Sequence, residues 1–231
     1  MDLFDAIKNR RSIRKFNSTK VPAEIIRKAL EAAILAPNSS NTQTWNFHWV
    51  KSEVKKEKLI KACLSQSAAR TAADLIVVSA DPKLWKRSQG PLISWVKSVN
   101  VPKQVQMYYE KIIPLSYTWG WFNCFALVKH IISFVTGIFR PFLRGPHSKA
   151  ELQLVAVKSA ALASENLVLA LTAEGVSSCM MEGFDEWRVK NLLDLSFSSR
   201  VVMVIGIGFE GERGTWGPQM RLPYDQVVYE V

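Results

Sequence analysis

"SAALASENLVLALTAE", Ser159 to Glu174, is the stretch on which the fold turns. Apolar residues occupy most of its helical circumference, and Gly175 follows as a C-terminal cap signal. A helix that is apolar on nearly every side has to be buried among other layers. Moving outward, "VVMVIGIG" (Val201 to Gly208) and "LIVVSA" (Leu75 to Ala80) are short runs rich in branched side chains, which read as buried strands. "TWNFHWV" alternates Trp45, Phe47 and Trp49 and reads as a third strand. "DLFDAIKN" places Leu3, Phe4 and Ile7 at helical spacing behind Asp2 as a cap, and "VPAEIIRKALEAAILAP" opens near Pro22 and stops at Pro37. "DEWRVKNLLDL", Asp185 to Leu195, reads as a further helix and "DQVVYEV" as a terminal strand. Strands interleaved with helices imply a layered α+β or α/β domain.

The chain has 231 residues, 48% of them hydrophobic and 22% charged, enough to bury a substantial core in one domain spanning 1–231. Its formal charge of +10 favours anionic partners without choosing among phosphate groups, nucleic acid and anionic membrane. Apart from the run Arg10 to Lys15 the cations are scattered, whereas nucleic-acid binding needs a basic stripe on a recognisable element; no nucleic-acid partner is expected. Cys63, Cys124 and Cys179 are odd in number and show no CxxC spacing, which argues against a disulfide framework and a zinc site. The N-terminus "MDLFDAIKNRR" lacks the long apolar core of a signal peptide, and a cytoplasmic location is expected.

Several familiar chemistries lose support. "GIGFEG", Gly206 to Gly211, has the glycine spacing of a dinucleotide-binding turn, but "ERGTWGPQMRLP" follows where a helix and a later acid are required. It reads as a strand exit. His48, His130 and His147 have no metal-ligand spacing, and no GxSxG turn is present, so no metal site is expected. The segment from about 82 to 148 contains "IIPLSYTWGWFNCFALVKHIISFVTGIFRPFL", which Pro114, Asn123, Lys129 and His130 interrupt before it reaches the ~20 apolar residues of a membrane span. Covering a ligand or packing on a second subunit is the expected role, with lying on a membrane surface the less expected one.

Four separated stretches then make sense together: "RRSIRKF" (Arg10 to Phe16), "APNSSNTQTWNF" (Ala36 to Phe47), "MEGFD" (Met181 to Asp185) and "RLP" (Arg221 to Pro223). In that order, and with "VKSAALASENLVLALTAEG" as a long core helix, they resemble the FMN-dependent nitroreductase family. A phosphate is held best by guanidinium forks and a hydroxyl, since charge-assisted bidentate bonds are the strong ones.

The resemblance implies an α+β, three-layer fold with a mostly antiparallel central sheet flanked by helices, assembled as an intertwined homodimer with "DQVVYEV" reaching across to the partner's sheet. It implies FMN as cofactor, with Arg10, Arg11, Ser12 and Arg14 at the phosphate and ribityl chain and Arg221 closing on the same phosphate. Pro37, Ser39, Asn41 and Gln43 match the family's polar loop, contributed from the neighbouring subunit. Met181, Glu182 and Gly183 match the segment whose backbone N–H groups meet the flavin edge; glycine permits that approach because it has no Cβ. Trp119, Trp121 and Phe122, in the variable aromatic insertion at about 82–148, are candidates for a substrate cover. The implied activity is NADPH- or NADH-driven ping-pong reduction of nitroaromatics, quinones or related small acceptors, with the cofactor carrying the chemistry and no catalytic side chain named.

Asn38, Ser40, Thr44 and Gln219 depart from the family pattern, and "LSQSAART" offers only Ser65 and Gln66 where some relatives set an asparagine and a lysine against the flavin. Other readings stay open: a non-enzymatic flavin carrier docked to a membrane surface, or a branch of the family that dehalogenates or destroys the flavin.

Overall fold

The computed structural model of the chain describes residues 1–118 and 124–231. Trp119, Trp121 and Phe122, the expected substrate cover, lie outside the described residues.

Four strands form one sheet: β1 (Trp45–Trp49), β2 (Asp74–Ala80), β3 (Ser177–Met181) and β4 (Arg200–Gly208), in the order β1-β2-β4-β3. Every neighbouring pair is antiparallel, and β2 and β4 slip register at Val78/Ser79. In chain order the helices are α1 (Leu3–Asn9), α2 (Ala23–Ile34), α3 (Glu53–Ala62), α4 (Ser67–Thr71), α5 (Trp85–Ser98), α6 (Lys103–Met107), α7 (Ile113–Tyr117), α8 (Cys124–Phe139), α9 (Lys149–Ala173) and α10 (Glu186–Leu192).

The sheet's two faces make the three layers. On one face Ile76, Val78, Ala80, Met203, Ile205 and Ile207 pack against Ile26, Ala29 and Ala33 of α2 and Ala156, Ala160, Ala163, Leu167 and Leu171 of α9. On the other, Leu75, Val77, Cys179, Met181 and Val204 meet Ile13, Phe16, Leu59 of α3, Ala68 and Ala69 of α4, and Val189 of α10. The period-2 alternation of the strands delivers one set of side chains to each face.

α9 is the helix foreseen at the centre, longer than expected. Ser148 and Glu151 close a capping box at its start, and Gly175 (φ +74°) follows its end. Its small alanines let α2 and the sheet approach on different sides. Ser159 and Ser164 are buried there but satisfied, donating to the Val155 and Ala160 carbonyls at 3.0 and 2.9 Å. Among the described residues α9 is also the one helix long and apolar enough to cross a membrane, a property it owes to its place in the core.

The glycine-rich strand exit has a packing explanation. A Cβ on Gly208 would stand 2.8 Å from Cδ1 of Phe16, and one on Gly211 would stand 2.9 Å from the Phe16 carbonyl carbon. No helix opens after Gly211; the chain goes into turns instead.

One expectation is corrected, and the structure adds elements the sequence did not suggest. "DQVVYEV" is not a strand: a single 3-10 turn spans Tyr224–Gln226 and the residues beyond it are exposed and unpaired in any sheet. A strand needs an edge to bond to, and this segment meets none within its own chain. β3 was not expected; its "SSCMM" sequence lacks a branched run and is held as an edge strand by pairing with β4. α3 was also unforeseen, because most of it faces solvent and only Leu59 and Ala62 are buried. The 82–148 insertion, for which no secondary structure was foreseen, is helical, from α5 through α8.

Candidate functional site

The basic run Arg10 to Phe16 is stitched down by backbone bonds on both sides. Ile13 N–H donates to the Ser178 carbonyl of β3 (2.9 Å), Arg14 N–H to Gly214 (2.7 Å), and Gly211 N–H to Lys15 (3.0 Å). Ile13 and Phe16 are buried, so Arg11, Ser12 and Arg14 point away from the core. The result is a cleft of about 240 Å³ lined by Arg10, Arg11, Ser12 and Arg14 from one end of the chain and by residues 215–221, including Arg221, from the other. Among the described residues no carboxylate lines it.

Each cation is held. Arg10 pairs with Glu165 of α9 at 3.6 Å, which fixes it at the rim. Arg11 donates to the Gly217 carbonyl. Arg14 lies over the Trp216 ring, 4.2 Å from its centroid. Arg221 donates to the Met220 carbonyl at 2.7 Å, and Gln219, with its amide oxygen turned toward Arg221, accepts from it at 3.2 Å while donating to the Lys8 carbonyl at 3.3 Å. Gln219, a departure from the family pattern, thus positions the neighbouring cation.

β3 leads from this cleft to the "MEGFD" turn. Ser12 bridges Ser178 near the start of β3, and Gly183 lies five residues on, at most roughly 17 Å away at ~3.3 Å per residue. The Met181 side chain is buried in the core, so only its backbone faces outward chemistry; Glu182 and Gly183 are exposed. Gln66 donates to the Gly183 carbonyl at 2.6 Å and to the Cys63 carbonyl at 3.1 Å, and a Cβ on Gly183 would meet the Gln66 amide nitrogen at 3.3 Å. Among the described residues the Gly183 N–H has no acceptor in the chain. Sequence reasoning offered Gln66 only as a substitute at the flavin and did not foresee its bond to Gly183. Its signal was the polar turn after α3, where Leu64 and Ser65 take positive φ and aim the following side chain back at Gly183.

The Pro37–Gln43 loop is elsewhere within the chain. A 3-10 turn spans Ser39–Asn41, with Ser40, Asn41 and Gln43 at positive φ. The loop is knotted by its own amides: Gln43 N–H donates to Asn38 Oδ1 (2.8 Å), and the Asn38 and Gln43 side chains both donate to Asn41 Oδ1. Ser39 N–H meets Ser159 Oγ of α9 at 3.4 Å, and Pro37 is exposed. Asn41 and Gln43, with Arg87, Ser88, Leu92 and Trp95 of α5, line a separate cleft of about 410 Å³. A single chain therefore brings Arg10, Arg11, Ser12, Arg14 and Arg221 together and sets Gly183 just beyond the end of β3, the strand that Ser12 bridges, but Asn41 and Gln43 line a different cleft. Among the described residues no His, Cys, Asp and Glu cluster could hold a metal ion.

Residues 7–209 match the model of the Nitroreductase family. Protein DrgA of Synechocystis sp. is 32% identical over 209 residues, covering 90% of this chain and 84% of that protein. The NADH dehydrogenase of Thermus thermophilus is 24% identical over 243 residues, covering 99% and 95%. Among solved structures, one in complex with FMN from Exiguobacterium sibiricum 255-15 has a TM-score of 0.74 at 23% identity, covering 100% of this chain and 98% of that one. A Nitroreductase Family Protein from Streptococcus pneumoniae TIGR4 has a TM-score of 0.70 at 24% identity, covering both chains fully (100% and 100%). The structural likenesses show the same three-layer fold.

Proposed function

This chain is an oxidoreductase belonging to the Nitroreductase family, and from that premise we propose that it binds FMN and uses NADPH or NADH to reduce nitroaromatics, quinones or related small acceptors. The observation that carries the cofactor reading is the carboxylate-free cleft that joins Arg10, Arg11, Ser12 and Arg14 to Arg221. A phosphate monoester, with nearly two negative charges, fits that donor set.

Arg11, Arg14 and Arg221 would hold the phosphate, Ser12 would add a hydroxyl, and Arg10, already paired with Glu165, would order the rim. Gly183 is exposed and offers an unbonded N–H, and Gln66 fixes its carbonyl, so this turn suits the edge of a planar ring system. Bound there, the flavin would supply two-electron hydride exchange between a reduced nicotinamide and the acceptor. Position and electrostatics would be the protein's share: the cations would neutralise the phosphate, and the turn at Glu182 and Gly183 would offer an N–H to the ring edge.

Ser39, Asn41 and Gln43 complete the site from the partner subunit of a homodimer. The separation of their loop from the basic cleft within one chain supports that arrangement. The exposed C-terminal segment, from Leu222 through Val231, is the part that would reach the partner.

Steady-state oxidation of NADPH and of NADH by the FMN-supplemented protein, with a nitroaromatic and with a quinone, tests the reading. Turnover that needs FMN and an acceptor is the expected result. FMN binding without any nicotinamide oxidation would make the protein a carrier instead.

A further inference from the structure

We infer that helix α8 docks on an anionic lipid bilayer, lying in the plane of its surface. The proposal is independent of the flavin reading, because it rests on the insertion alone.

α8 is inside out. The side chains it turns toward the protein are small or polar: Ala126, Lys129, Ser133, Thr136 and Gly137. Lys129 donates to the Leu115 and Thr118 carbonyls, and Ser133, only 3% exposed, bonds His147 Nε2 at 2.8 Å. Facing outward are Leu127, Val128, Ile131, Ile132, Phe134, Val135, Ile138 (63% exposed) and Phe139 (83% exposed). At 100° per residue these cover roughly half the helix circumference. A helix of a water-soluble face carries the opposite pattern, apolar inward and polar outward. Large contiguous apolar surface of this kind marks an interaction site.

Charge selects the occupant. From Ile112 to Ala150 the sequence has no aspartate or glutamate but has Lys129, Arg140, Arg144 and Lys149. With Lys129 turned inward, Arg140 and Arg144 follow the apolar face in sequence, both exposed, with Arg144 donating to the Gly137 carbonyl at 2.8 Å, and Phe142 and Leu143 between them continue it. An apolar half-cylinder ending in arginines suits acyl chains below and anionic headgroups beside it. The apolar stretch Phe125–Phe139 is shorter than the ~20 residues of a span, so the helix lies on the bilayer and does not cross it.

The test is co-sedimentation of the full chain with phosphatidylcholine vesicles, with and without phosphatidylglycerol, at low and high salt, alongside its mass in solution. Expected is binding to the phosphatidylglycerol vesicles at least about 10-fold stronger than to phosphatidylcholine alone, weakened by salt. Ile131→Glu with Ile138→Glu, both at exposed positions, should abolish it with the circular dichroism spectrum and melting temperature unchanged. Arg140→Glu with Arg144→Glu should remove the preference for the anionic lipid. Absence of vesicle binding by the unaltered protein overturns the proposal. So does a dimer that becomes a monomer in the Ile131→Glu, Ile138→Glu variant with vesicle binding unaffected, since the face would then be a subunit contact.

Discussion

The Arg14 guanidinium carbon stands 4.2 Å from the centroid of the Trp216 ring, so residues from opposite ends of the chain build one wall of the basic cleft. Removing a hydrogen bond to a charged group costs about 1.5–3 kcal/mol, so Arg14→Ala should weaken FMN binding about 10- to 100-fold. Riboflavin, which lacks the phosphate, should bind the variant and the unaltered protein alike. Trp216→Ala removes only the ring beneath the cation, about 0.5–1 kcal/mol at an exposed site, and should weaken FMN about 2- to 5-fold. Fluorescence titration with both ligands measures each; equal losses for FMN and riboflavin would contradict the phosphate assignment.

Gly183→Ala separates approach from stability. The added Cβ would meet the end of the flexible Gln66 side chain at 3.3 Å, and no positive φ has to be accommodated, so the folding cost should stay under about 1 kcal/mol. A methyl group at the point where a ring edge has to approach should nevertheless lower nicotinamide oxidation by about 10-fold or more. Stopped-flow rates together with a urea melt distinguish the two effects.

Asp81 anchors the loop before β4. Its carboxylate accepts from the Ser196, Ser198 and Ser199 hydroxyls at 2.6, 3.0 and 3.1 Å and from Lys83 N–H at 2.9 Å. Burial pushes its pKa up, but these bonds together outweigh burial and hold it below the usual carboxylate value. A depressed folded pKa gives stability that is fully present above the unfolded value of about 3.9 and is lost as pH falls through the lower folded value. Asp81→Asn, which sets an amide among donors, should cost about 2–4 kcal/mol at neutral pH. Urea melts of both proteins from neutral pH to below pH ~4 should show the gap closing with acid.

The thiols of Cys63 and Cys179 are buried, and burial pushes Cys63 up to about 11 and also raises Cys179, against a smaller opposing effect of Arg14. Neither should react with a thiol reagent at pH ~8 in the folded protein, and both should react in denaturant. Peptide mapping of the labelled sites by mass spectrometry reads this; rapid native labelling of Cys63 would show that the second core opens readily.

What was legible in the sequence was whatever carried a strong local pattern. α9, β2 and β4 announce themselves because a buried element has nothing but apolar positions to offer. The clustering of Arg10, Arg11 and Arg14 is plain in the sequence, and the family order pointed to Arg221, which lines the same cleft. β3 was not legible: its five residues are a strand because β4 lies beside them, a non-local cause. The failure of "DQVVYEV" is the converse, a segment of strand-like composition with no edge to pair with inside its own chain. α8 has the composition of a buried helix and an exposed position, which composition alone does not separate. The Gln66–Gly183 bond was not legible because it joins residues far apart in sequence and adjacent in space.

Flavin redox cycling is read most directly from the visible absorption spectrum of the FMN-loaded protein during anaerobic addition of NADPH, then NADH, then a nitroaromatic. Expected is an absorption band of bound flavin that bleaches with at least one nicotinamide and returns with the acceptor. A protein that takes up no FMN would contradict the account and leave the Arg10 to Arg14 cluster as a solvated basic loop.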